Sequence, residues 1–146
     1  KNIKVLTRIN SPYEILNQET PAGKFIYKRF LKVNKEYEEL FELGKKEGKK
    51  AGKLLVFTYK GYRTSFTGDL SNELLHNFPD KVIIIGREKN GEMKCSLRSA
   101  TVPILPIVKK SLEGLDGYGG GHELACGTCV NLKDWDKFKN NFESSL

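Results

Sequence analysis

The run Val82-Ile83-Ile84-Ile85 and the Asn90-Gly91 pair that follows it constrain the fold more than any other stretch. Four β-branched residues in succession leave no polar face, which suits a strand covered on both sides. Asn-Gly is favoured in two-residue hairpin loops because both central positions need positive φ. Met93 to Ser99 is then the returning strand. A buried strand with an antiparallel neighbour must sit inside a larger sheet. Strands alternate with helical patterns on either side of this hairpin, so the expected class is α/β, a mixed sheet of about five strands flanked by helices.

The remaining elements follow from local signals. Residues 1–18 are expected to be an extended lead-in turning at Ser11-Pro12. Thr20-Pro21 reads as an N-cap and first helical residue. Ile26, Phe30, Val33, Tyr37, Leu40 and Gly44 then make one continuous stripe on a helix of about 25 residues. Lys45, Lys46, Lys49 and Lys50 gather at its C-terminal end, with Gly48 and Gly52 helping to stop it. Such a helix can connect two domains, pack on its own sheet, or pair in a dimer. Leu54 to Tyr59 is a strand, expected to turn at Lys60-Gly61 into a second strand over Tyr62 to Phe66. Ser71 would cap a short helix bearing Leu74, Leu75 and Phe78. Pro103 begins a helix with Ile104, Leu105, Ile107, Val108 and Leu112. A last strand passes through Cys129, Val130 and Leu132, and Asp134 would cap a final helix carrying Trp135, Phe138, Phe142 and Leu146.

The expected division is residues 1–52, lead-in and long helix, and residues 53–146, an α/β domain. At 146 residues the chain has room for one substantial core. It opens on Lys1 rather than Met, and a piece of a longer polypeptide is expected. No stretch has the roughly 18–20 consecutive apolar residues of a membrane span, so no membrane partner is expected. The net charge of +7 is uneven: residues 1–60 hold 14 Lys and Arg against 7 Asp and Glu, while the remainder balances at 11 of each. A basic face attracts nucleic acid, and a solvated Lys-rich helix accounts for the same charge. Three cysteines, an odd count, give no disulfide framework and point to a reducing, cytoplasmic setting. Cys126 and Cys129 have C-x-x-C spacing. Only Cys95, His76 and His122 remain as further ligands, so small-residue packing is preferred to zinc.

Chemistry concentrates in two places. Gly119-Gly120-Gly121-His122 is expected to be a turn, in which bare N–H groups form a concave nest for phosphate oxygens and the histidine donates beside it. The plain alternative is a turn with no ligand. On the strand Lys94 to Ser99, alternation sends Cys95, Leu97 and Ser99 one way and Lys94, Ser96 and Arg98 the other. Arg98 on a central strand needs an acidic neighbour or a bound anion, and its planar fork matches phosphate.

Met93-Lys-Cys-Ser-Leu-Arg-Ser99, a helix, and then Gly119-Gly-Gly-His-Glu-Leu-Ala-Cys-Gly127 resembles the DHH-associated domain. This is the C-terminal substrate-binding half of DHH-superfamily phosphoesterases, including RecJ-like exonucleases, oligoribonucleases and cyclic-dinucleotide phosphodiesterases. The resemblance covers about Leu54 to Phe142. A related domain ends alanyl-tRNA synthetases without this histidine pattern. The resemblance implies that Arg98 contacts substrate phosphate, that Gly119, Gly120 and Gly121 form the glycine turn, and that His122 holds the nucleotide end. Ala125 and Gly127 match the small residues that follow, and Cys126 replaces an alanine.

The same resemblance implies Mn or Mg ions in a separate N-terminal catalytic domain of the same polypeptide. This chain has no Asp-His-His, two histidines and five scattered aspartates, too few to assemble a two-metal site. It is expected to carry no catalytic or metal-ligating residue of its own and to be inactive alone. Expected partners are single-stranded nucleic acid or short nucleotide phosphates, with a homodimer as a further option. The alternative is a stand-alone basic nucleic-acid-binding or dimerisation module with no catalytic domain attached.

Overall fold

The computed structural model describes residues 2–61 and 64–146. Among them are six α-helices, α1 (Asn2–Leu6), α2 (Pro12–Leu16), α3 (Pro21–Glu47), α4 (Thr67–Asn77), α5 (Ile104–Ser111) and α6 (Trp135–Glu143). Six strands, β1 (Lys49–Ala51), β2 (Leu54–Lys60), β3 (Val82–Lys89), β4 (Glu92–Arg98), β5 (Gly117–His122) and β6 (Ala125–Asn131), form one sheet in the order β1-β2-β3-β4-β6-β5. Only β2 and β3 are parallel; the other neighbours are antiparallel. The chain divides into two compact units, the first ending at Leu40 and the second spanning Phe41–Leu146.

In the first unit the lead-in is helical rather than extended. Ser11 Oγ accepts the Tyr13 N–H, and Pro12 occupies the first position of α2. These residues are ordinary helix starters, and five-residue helices are too short to display a periodic apolar stripe. Thr20 caps α3 as expected, its Oγ1 accepting from the Gly23 N–H at 3.0 Å.

In the second unit the sheet carries helices on both faces. Leu54, Val82, Ile84, Met93, Cys95, Leu97 and Cys126 pack with Ile104, Val108, Phe138 and Phe142 of α5 and α6. The opposite face bears Leu55, Phe57, Ile83 and Ile85, with Leu70 and Leu74 of α4 buried as well. A Cβ built on Gly44, in the last turns of α3, would lie 3.1 Å from Leu74 and 3.3 Å from Phe57, so that end of the helix reaches the same layer. Val82 to Ile85 are each 1 % exposed or less, the double coverage that an unbroken apolar run requires. Asn90 (φ 54°) and Gly91 (φ 77°) make the β3–β4 turn with both residues left-handed, as the dipeptide predicts.

Several boundaries differ from expectation. No strand follows Lys60 among the described residues: Thr64 to Phe66 lead directly into α4, which carries the chain across to a parallel β3. The residues expected to begin that strand, Tyr62 and Arg63, lie outside the described residues. Ser71 does not cap α4 but lies buried inside it, its hydroxyl donating to the Gly68 carbonyl. Lys49 and Lys50 belong to β1 rather than to the helix end, and Gly52 (φ 50°) turns β1 into β2. Asp134 precedes α6, but its carboxylate accepts from the Asp116 N–H instead of capping the helix. The sheet therefore has six strands: β1 and β5 replace the one expected at 62–66.

Candidate functional site

The largest departure concerns the glycine run. Gly119, Gly120 and Gly121 are not a turn but the body of β5, the edge strand paired with β6. The turn falls one step later, at Glu123-Leu124. Only Gly121 has a positive φ, 146°. No nest of successive N–H groups forms in the run.

The glycines divide by face. A Cβ on Gly119 would lie 2.7 Å from Thr128 Cγ2 and 2.9 Å from the Gly127 carbonyl oxygen, and one on Gly121 would collide with the Ala125 carbonyl. These two let β5 lie close over the core side of β6. Gly120 is different: a Cβ there would meet nothing within 4 Å. Its absence of a side chain leaves space on the other face of the sheet.

That face is built in rows across β4, β6 and β5. Arg98 pairs with Ala125, which pairs with His122; Ser96 pairs with Gly127, which pairs with Gly120. Arg98 and His122 thus share one row, two strands apart, with Cα atoms roughly 10 Å from each other at ordinary strand spacing. Between and beside them the floor is Ala125, Gly127 and Gly120. Of the residues singled out from sequence, Arg98, Gly120 and His122 come together on this surface. Gly119 and Gly121 face away from it.

Alternation on β4 behaves as expected: Met93, Cys95 and Leu97 enter the core, while Lys94, Ser96 and Arg98 stand on the opposite side. Arg98 is held in a fixed pose. Its Nε donates to Asn72 Oδ1 at 2.8 Å, and its Nη1 donates to the carbonyls of Leu97 at 2.8 Å and Cys126 at 3.3 Å. All three acceptors are neutral. Among the described residues no carboxylate pairs with Arg98, and its Nη2 hydrogens have no protein acceptor. Asn72, on α4, escaped the sequence reading because a single exposed asparagine on a helix carries no pattern. Thr67, at the start of α4, accepts from the Ser96 hydroxyl at 3.0 Å and fixes the helix beside the middle row.

The two sequence motifs are mechanically joined. The Glu123-Leu124 turn is tied to the end of β4, the Ser99 N–H donating to the Leu124 carbonyl at 3.0 Å. The Ile104 N–H donates to the Glu123 carbonyl at 2.8 Å. Ser99 Oγ also accepts from the N–H groups of Thr101 and Val102, shaping the entry to α5. Cys126 Sγ donates to the His122 carbonyl at 3.2 Å. Ser99 and Cys126 thereby set where Arg98 and His122 stand relative to one another.

The cysteines do not form a centre. Cys126 and Cys129 are three residues apart on one strand and project from opposite faces. Burial raises the pKa of both thiols and pushes Cys95 up to about 12. Among the described residues no group of three or more His, Cys, Asp or Glu could hold a metal ion, and no helix is long and apolar enough to cross a membrane. His76 lies near the C-terminal end of α4, one turn beyond Asn72.

Residues 51–146 match the DHHA1 domain family, and the chain belongs to it. No curated protein matches the sequence significantly. Among solved structures, RecJ from Thermus thermophilus, determined in complex with Mn2+, is similar with a TM-score of 0.65 at 17% identity, over 92% of this chain and 22% of that one. The pGpG-specific phosphodiesterase PggH from Vibrio cholerae gives 0.62 at 15% identity, over 86% of this chain and 42% of that one. The C-Ala domain of Aquifex aeolicus alanyl-tRNA synthetase gives 0.51 at 14% identity, over 66% and 95%. The chain spans less than half the length of the RecJ and PggH structures.

Proposed function

We propose that this chain is the substrate-binding part of a DHH-family phosphoesterase and that it holds the terminal phosphate of a nucleotide on the β4-β6-β5 face. The observation that carries the reading is Arg98: a guanidinium locked by three neutral acceptors, without a carboxylate partner among the described residues, on the same row as His122. Two Nη2 donors remain for an anion, and guanidinium–phosphate hydrogen bonds are charge-assisted and strong. His122 supplies a further donor from the edge strand. Ala125, Gly127 and Gly120 keep the floor low enough for phosphate oxygens to approach between the two side chains.

Binding here serves catalysis by position. Bond cleavage falls to Mn or Mg in a catalytic domain outside this sequence, and a terminal phosphate fixed here sets where the scissile bond lies. Residues 1–52 form the lead-in and connecting helix in this reading, and residues 53–146 the binding domain. The ligand is a single-stranded nucleic acid or a short nucleotide phosphate. Equilibrium titration of a 5′-phosphorylated dinucleotide tests the assignment. Arg98→Ala and His122→Ala should each weaken binding with an unchanged circular dichroism spectrum, whereas equal affinity in both variants and the unmodified chain would remove the site.

A further inference from the structure

We propose that the same face takes a second nucleotide, with the Tyr118 ring as the stacking surface for its base and Lys94 opposite as its phosphate contact. This rests on the phosphate site proposed above and extends it along the strands.

A third row lies beyond the glycines. Lys94 pairs with Cys129, which pairs with Tyr118. By register these residues share the face of Arg98 and His122. Tyr118 is 70 % exposed, on a strand whose other residues are glycines and a histidine. A large aromatic side chain on a glycine strand, left in solvent, contributes little to the core. The ring is therefore open to solvent beside β6. An aromatic face left open on a nucleic-acid-binding surface is a stacking platform for a base of any identity.

Spacing fixes which nucleotide it meets. Successive rows are two residues apart, so Tyr118 lies about 13–14 Å along β5 from His122 at the usual rise per residue. A nucleotide whose own phosphate rests between Arg98 and His122 has its base one sugar away, short of the third row. The base that reaches Tyr118 belongs to a later nucleotide. Between the two ends, Gly120 and Gly127 leave the sheet without side chains; a Cβ on Gly127 would find only the Cys95 carbonyl, at 3.6 Å. A sugar-phosphate backbone can follow that bare strip.

Charge agrees with this path. Lys94 and Arg98 stand on one side of the strip and His122 on the other. Glu92 holds Lys94 at 3.3 Å, with both side chains about half exposed. Such a pair contributes little, so Lys94 can turn to a phosphate at small cost. Because the stacked base must be unpaired, the ligand is single-stranded, at least two nucleotides long, and read without base identity.

The experiment measures affinity of the full chain for the thymidylate series pT, pTpT and pTpTpT, and for pTpT and pTpTpT in which every base after the first is removed. Affinity should rise about tenfold or more from pT to the longer ligands. Tyr118→Ala should lose that increase and keep pT affinity unchanged, and Tyr118→Phe should retain it. Ligands without the later bases should bind the unmodified chain no better than pT. An increase with length that survives in Tyr118→Ala or in those ligands, or no increase at all, would overturn the second contact while leaving the first. Loss of the underlying phosphate site reads differently: pT binding would then be absent, or indifferent to Arg98→Ala.

Discussion

Asn72 shows how much of the site depends on residues that never touch the ligand. Its amide oxygen holds the Arg98 Nε and leaves the guanidinium charge uncompensated, which an aspartate at the same place would not. Asn72→Ala should weaken phosphate binding less than Arg98→Ala, with a stability change of about 0.5–1.5 kcal/mol, the usual net value of one such hydrogen bond. Asn72→Asp should weaken binding more, through an ion pair competing with the ligand. Both follow from titrations with 5′-phosphorylated dinucleotide alongside urea unfolding. Cys95 supplies a pH dependence. Its folded pKa is raised from 9.0 to about 12 by burial, so the neutral thiol contributes its full stability below the unfolded pKa. That contribution falls between about pH 9 and pH 12, by about 1.4 kcal/mol per pH unit at most. The stability difference between the unmodified chain and Cys95→Ala should shrink across that window.

Strand β5 separates two uses of glycine that the sequence presents as one run. Gly119→Ala forces a Cβ to within 2.7 Å of Thr128 Cγ2 and 2.9 Å of the Gly127 oxygen, and should cost about 1–3 kcal/mol. Gly120→Ala meets no neighbour and should change stability by no more than about 0.5 kcal/mol, yet it should weaken ligand binding by raising the floor. Thermal melts and titrations of the two variants distinguish these roles. The same strand marks where sequence reading stopped. Glycine disfavours strands, so Gly119 to Gly121 read as a turn, and only the close approach of β6 explains a strand there. The three-residue β1 failed to register because Lys49 and Lys50 look like helix-end charges. By contrast Val82 to Ile85, Asn90-Gly91 and the alternation through Arg98 were legible, because burial on both faces, left-handed turn geometry and the two-residue strand period each leave their own local signature. The row that joins Arg98 to His122 was not, since it depends on the register of three strands.

For the molecule as a whole, family membership fixes the domain and leaves its partners to experiment. The excess positive charge lies in residues 1–60, away in sequence from the proposed phosphate site. If the site is the one described, affinity for a short phosphorylated ligand should fall only gently with salt, with a slope set by one or two phosphates. A steep slope would instead indicate many contacts along the Lys-rich helix. The chain should bind such ligands without cleaving them whether Mn2+ or Mg2+ is added or withheld, as followed by chromatography of the products.

The most direct measurement is a nuclear magnetic resonance titration of the isotope-labelled chain with a 5′-phosphorylated dinucleotide. Perturbed amides at Gly120, His122, Ala125 and Gly127, together with a shifted Arg98 Nε–H, would locate the anion on the open side of the β4-β6-β5 sheet. Shifts confined to α3, or spread evenly over lysines with Arg98 unmoved, would contradict it.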